Sequence, residues 1–133
     1  MKITDVEGIG PKYKDRLHAA DIQTTEDLLR EGKTPSGRNK LSAAAGISTS
    51  MLLEWINHAD LMQVRGVGSE YADLLEDAGV DTVPELARRS AANLTAAMKD
   101  FNEDNEAVRR TPTLETVQDW IAEAKSMGRS IEY

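Results

Sequence analysis

Val6-Glu7-Gly8-Ile9-Gly10-Pro11-Lys12-Tyr13 and Val64-Arg65-Gly66-Val67-Gly68-Ser69-Glu70-Tyr71 are two versions of one phrase. The register runs on without a gap through Asp15/Asp73, Leu17/Leu75, Ala20/Ala78, Ile22/Val80, Thr24/Thr82, Leu28/Leu86 and Arg30/Arg88. A period of this length marks a supersecondary unit used twice. A looser match follows, of Leu52, Trp55, Ile56, Ala59 and Met62 with Val117, Trp120, Ile121, Ala124 and Met127. It needs a few extra residues in the later copy, and the polar stretch 102–105 supplies them. The copies meet near residues 61–63, which predicts one repeat over 1–62 and a second over 63–133.

Working outward, each phrase opens a helix. Tyr13, Leu17 and Ala20 recur at i, i+4 and i+7, as do Tyr71, Leu75 and Ala78, so each set makes one apolar helical stripe. Asp21-Ile22 and Gly79-Val80 end those helices, Gly79 being suited to a left-handed cap. Thr24 or Thr25, and Thr82, are then N-caps of short second helices. Further helices are expected to start at Thr34-Pro35, at Ser48 and at Thr111-Pro112. About eight helices result; strand signals are confined to short extended ends at residues 1–4 and 130–133. The fold class expected is all-α, two tandem repeats packed as a compact helical bundle.

Composition agrees. Two Trp, three Tyr and one Phe among 133 residues leave an aliphatic core, which suits helix packing. There is no cysteine, which excludes disulfides and thiolate metal sites. No apolar run follows the opening Met-Lys-Ile-Thr, and none approaches the roughly 20 residues that cross a bilayer. A cytoplasmic protein with no membrane contact is expected. The net charge of −7 opposes a general nucleic-acid coat. It is uneven: residues 1–62 hold eight Lys/Arg against nine Asp/Glu, whereas 63–133 hold eight against fourteen.

In Gly8-Ile9-Gly10 and Gly66-Val67-Gly68 the glycines permit a sharp turn and a close approach, and the residue between them plugs the core. The amides that open the following helix then point outward with the positive end of its dipole, a place for a phosphate. A dinucleotide-binding turn is excluded, because Tyr13 and Tyr71 replace its third glycine and no strand precedes either turn.

From Thr4-Asp5-Val6-Glu7-Gly8-Ile9-Gly10-Pro11 through Thr25-Glu26-Asp27-Leu28-Leu29 the chain resembles the helix-hairpin-helix motif of DNA repair polymerases, bacterial ligases and Holliday-junction proteins. Nearly end to end it is similar to the bacterial domain-of-unknown-function family 4332. That match rests on both hairpins, Ser36-Gly37-Arg38, Leu52-Leu53-Glu54-Trp55, Ala59-Asp60-Leu61-Met62 and Asp119-Trp120-Ile121. The resemblance implies a SAM-like, helix-hairpin-helix superfamily fold in which hairpin amides hold one phosphate without reading bases. By position these are Gly8, Gly10 and Tyr13, with Lys12 and Lys14 as counter-charges. It also implies carbonyls of Thr4, Val6 and Ile9 as ligands of a monovalent cation. The second copy departs from the pattern, because Glu70 replaces Lys12 and Asp73, Glu76 and Asp77 follow.

Other constellations carry less. His18 and His58 lie too far apart for a zinc site, and no nucleophile is arranged with a base, so neither metal, cofactor nor enzyme activity is expected. The stretch 100–106 lacks the glycine and final glutamate of a calcium loop. Arg38 with Lys40, and Arg109 with Arg110, are cations that would extend a phosphate surface or simply be solvated. Trp55 and Trp120 belong to the core or to a surface for a partner protein. Two readings stay open: weak, sequence-independent DNA backbone binding through the first hairpin, and a protein-interaction scaffold whose hairpins only pack.

Overall fold

The computed structural model describes Met1–Tyr133 and is all-helical, with eight α-helices and no strand. The nearest approach to a sheet is one antiparallel bridge between Lys2 and Thr24. No helix is long and apolar enough to cross a membrane. The chain divides into two compact units, Met1–Asp60 with Ser130–Tyr133, and Leu61–Arg129.

The first unit opens with a 3-10 turn at Ile3–Asp5, followed by α1 (Pro11–Ala19), α2 (Thr25–Glu31), α3 (Pro35–Ala45) and α4 (Thr49–Leu61). Each start has a chemical cause. Pro11 and Pro35 occupy first-turn positions where a missing N–H costs nothing. Thr24 accepts from the Asp27 amide at 3.1 Å while the Asp27 carboxylate accepts from Thr24, a reciprocal cap on α2. Thr34 accepts from the Gly37 amide at 3.0 Å, and Ser48 from the Met51 amide at 3.2 Å. α1 stops where Asp21 turns left-handed at φ 65°, the Ile22 amide closing back onto the Leu17 carbonyl at 2.9 Å. Leu17, Ile22, Leu28, Leu52 and Ile56 are wholly buried, and each contributes on the order of 1.5–3 kcal/mol relative to exposure.

The last residues of the chain belong to this unit. Ile131 is buried, the Glu132 amide donates to the Lys33 carbonyl at 2.8 Å, and the Tyr133 hydroxyl bonds Asn57 Oδ1 at 3.0 Å. Arg38, expected as an exposed cation, is buried at 6% exposure. Its guanidinium donates to the carbonyls of Gly32 (2.9 Å), Lys33 (3.2 Å) and Glu132 (2.8 Å). A planar fork of donors suits three converging carbonyls, so this residue ties down the chain's end and is lost to any phosphate surface.

The second unit holds α5 (Ser69–Asp77), α6 (Val83–Ala87), α7 (Ala91–Asn105) and α8 (Leu114–Met127), with α8 packed on α6 and α7, and α5 on α7. Leu74, Leu75, Val80, Leu86, Leu94, Met98 and Val117 form its core. α5 ends as α1 does, with Gly79 at φ 91° and the Val80 amide on the Leu75 carbonyl at 2.9 Å. α7 runs through the polar stretch to Asn105 and ends at Glu106, left-handed at φ 47°. α8 starts later than Thr111-Pro112 suggested. Thr113 caps it, accepting from the Thr116 amide at 3.2 Å, and Pro112 is buried ahead of it. A hydroxyl two residues nearer the apolar run won over the Thr-Pro pair.

Candidate functional site

The two glycine turns follow one hydrogen-bond plan. The Val6 amide donates to Ile3 and the Ile9 amide to Val6, both at 3.2 Å; Val64 donates to Leu61 at 3.1 Å and Val67 to Val64 at 3.0 Å. Helical bonding then begins with Lys14 to Gly10 and Ala72 to Gly68, both 2.9 Å. Ile9 and Val67 are buried beneath the turns.

The glycines of each turn are not equivalent. Gly8 and Gly66 have φ of 93° and 89°, a region that L side chains rarely enter, and a Cβ there would lie 3.2 Å from Nε1 of Trp55 and Trp120 respectively. Gly10 and Gly68 have φ of −85° and −87°, and a Cβ on either would meet nothing within 4 Å. The fold therefore favours glycine at the first position of each pair, and the second leaves open ground in front of a helix N-terminus.

Beneath each turn an aromatic pair fixes the helix. Tyr13 meets Trp55 edge-on at 5.2 Å and 62°, and Tyr71 meets Trp120 at 5.4 Å and 56°. Both tryptophans are buried, at 5% and 2% exposure, so the rings offer a partner protein very little surface. Tyr71 also donates from its hydroxyl to the Arg110 carbonyl at 3.1 Å.

Charge separates the two turns. In the first, Lys12 Nζ lies 5.9 Å and the Arg16 guanidinium carbon 5.8 Å from the Tyr13 ring centre, so two cations lie against one aromatic ring. Arg16 also donates to the Gly46 carbonyl at 3.0 Å, which fixes its position. Lys12, Gly8 and Gly10 are exposed; Tyr13 and Lys14 are half-buried. Arg16 was missed in the sequence, although a signal was present: it follows Lys12 by four, and its counterpart in the second copy is the buried Leu74. Of the proposed cation-binding carbonyls, that of Val6 already accepts from Ile9, and the side chains of Val6 and Ile9 are core while Thr4 is exposed.

The second turn is different. Glu70 stands exposed where Lys12 stands, and Glu123 of α8 accepts from the Arg65 amide at 3.0 Å, bringing a carboxylate to the turn itself. Farther along, burial raises the Asp77 carboxyl above its ordinary range, and burial together with Glu85 raises Asp81. Arg109 and Arg110 are exposed beside Glu70, Tyr71 and Glu106 around a groove of about 640 Å³, with charges of both signs. Of the two histidines, His18 is exposed and His58 is buried.

Among known proteins, the family model described as "Domain of unknown function (DUF4332)" matches residues 7–127. No curated protein and no solved structure matches the chain.

Proposed function

The chain belongs to the DUF4332 family, and within it we propose a non-catalytic helix-hairpin-helix module that grips the phosphate backbone of DNA through its first glycine turn. One observation carries this reading: Lys12 and Arg16 converge on Tyr13 beside open helix-start amides, whereas the matching positions of the second turn are Glu70 and Leu74. Amides and a lysine recognise phosphate oxygens and not base edges, so binding is even across sequences. About two phosphates engaged implies a Kd on the order of 10⁻⁴ M and a roughly tenfold loss of affinity between 50 and 200 mM salt.

A titration of labelled duplex at about 20–50 mM salt tests the proposal. Lys12→Glu is expected to abolish binding, since it removes an attraction and adds a repulsion at one point. Glu70→Lys is expected to strengthen it by opening the second turn. The rival reading, a protein-interaction scaffold, draws support from the acidic second half and from Arg38, a cation spent on the chain's own carbonyls. Absence of binding by the parent protein at low salt would refute the DNA reading and leave the scaffold.

A further inference from the structure

Where α6 packs on the last turn of α8, a groove of about 330 Å³ is lined by Pro84, Ala87, Ala124 and three cations, Arg88, Lys125 and Arg129. Ala124 is buried and Pro84 and Ala87 are half-buried, whereas the cations are exposed, so apolar groups form the bottom and charge the edge. No Asp or Glu lines it, although residues 63–133 hold fourteen acidic side chains against eight basic ones. Three of those eight meet here, and none of the three is in an ion pair. An apolar centre with a charged rim is the layout of a protein interface on a small scale.

Cations near the end of a helix suit its dipole, and a single one would need no other account. The first copy supplies the comparison. There Arg30, the match of Arg88, is held by Asp27 at 2.9 Å and Glu31 at 3.4 Å. In the register of the repeat those carboxylates correspond to Glu85 and Arg89. Glu85 accepts from the Asp81 amide at 3.1 Å, ahead of α6, and Arg89 donates to the Ala78 carbonyl at 3.1 Å. Lys125 follows Ala124 where Asp60 follows Ala59, and Pro84 stands where the first copy has Glu26. Three carboxylates of the first copy are thus a proline and two cations in the second. The copy that is more acidic as a whole has lost its acidity at this one place.

We propose that this groove receives an acidic segment of a partner protein, one apolar side chain settling on Pro84, Ala87 and Ala124 while the carboxylates beside it meet Arg88, Lys125 and Arg129. The unpaired cations select an anionic partner. The apolar bottom favours a peptide over nucleic acid, because a phosphate backbone presents no apolar group to cover it. The proposal goes beyond the phosphate-binding reading and does not depend on it, since no residue of the first glycine turn takes part.

The test uses the full chain labelled with ¹⁵N and a short peptide probe, a leucine flanked on each side by two aspartates, titrated in at low salt. The amides of Ala87, Arg88, Ala124 and Lys125 are expected to shift and saturate together. A probe with alanine for leucine is expected to bind about tenfold more weakly, the worth of the apolar contact, and one with lysines for aspartates not to bind. Lys125→Glu combined with Arg129→Glu, both at exposed positions, is expected to abolish binding, whereas Arg109→Glu, outside the groove, leaves it unchanged. If the double variant does not fold, the leucine and alanine probes on the parent chain decide alone. Equal affinity for those two probes, or an equal loss in Arg109→Glu, would overturn the proposal, because the attraction would then be diffuse charge. A short DNA duplex that shifts the same amides and displaces the peptide would overturn it in favour of nucleic acid. Self-association of the parent chain that the double variant removes would overturn it in favour of a second copy. No shift with any peptide would overturn it outright, and the duplex titration at the first glycine turn would stand or fall by itself.

Discussion

Replacing Gly8 with alanine separates what the turn needs for folding from what it leaves open. At φ 93° an L residue bears strain of about 1–2 kcal/mol. The new Cβ would stand 3.2 Å from Trp55 Nε1, so the indole, packed against Tyr13 at 5.2 Å, must give by a few tenths of an ångström. Overpacking of this kind costs about 1 kcal/mol at the mild end of its range. Against these stands a gain of about 0.4–1 kcal/mol from the stiffer unfolded chain. The net expectation is a loss of about 1–2.5 kcal/mol. Gly10→Ala, two residues away, meets nothing within 4 Å at an ordinary φ of −85° and loses only the small preference of a helix cap for glycine over alanine, under about 1 kcal/mol. Urea unfolding followed by tryptophan fluorescence and by circular dichroism measures both, the two probes also testing whether the units unfold together. Equal stability of the two variants would refute the argument, because it would mean that neither the positive φ nor the indole contact constrains the turn.

Arg38→Met, which keeps much of the stem, should leave the Gly32, Lys33 and Glu132 carbonyls without their charged donor and cost about 2–4 kcal/mol; hydrogen exchange at the Glu132 amide, now on Lys33, should quicken. Asp27 is held below its ordinary value of 3.8 by the Gln23 amide, then by Arg30 and Thr24, so it favours the folded chain above about pH 3.8 and that contribution fades as pH falls through its lower folded value. Asp27→Asn should therefore destabilise the protein at pH 7, with the gap to the parent closing in strong acid; a constant gap from pH 7 to pH 2 would contradict it.

Much of this protein is legible in the chain alone. Helical periodicity around Tyr13, Leu17, Tyr71 and Leu75, and caps such as Thr34-Pro35, are local physics: a side chain and the amide two or three residues on decide a helix start wherever the rest of the chain lies. The doubled glycine phrase announced two matching turns for the same reason. Where two local signals competed, as between Thr111 and Thr113, the hydroxyl nearer the apolar run took the cap while Pro112 was buried ahead of it. What only the tertiary structure decided involves residues far apart in sequence. Arg38 reads as a surface cation until the Glu132 carbonyl, ninety-four residues later, is brought against it. The unequal roles of Gly8 and Gly10 depend on an indole forty-odd residues away. Arg16 becomes part of the first turn's charge by lying over Tyr13 and under the Gly46 carbonyl, and Glu123 becomes part of the second by reaching the Arg65 amide. Local propensity is written residue by residue, whereas the partner of a buried charge is set by which distant segments the core brings together.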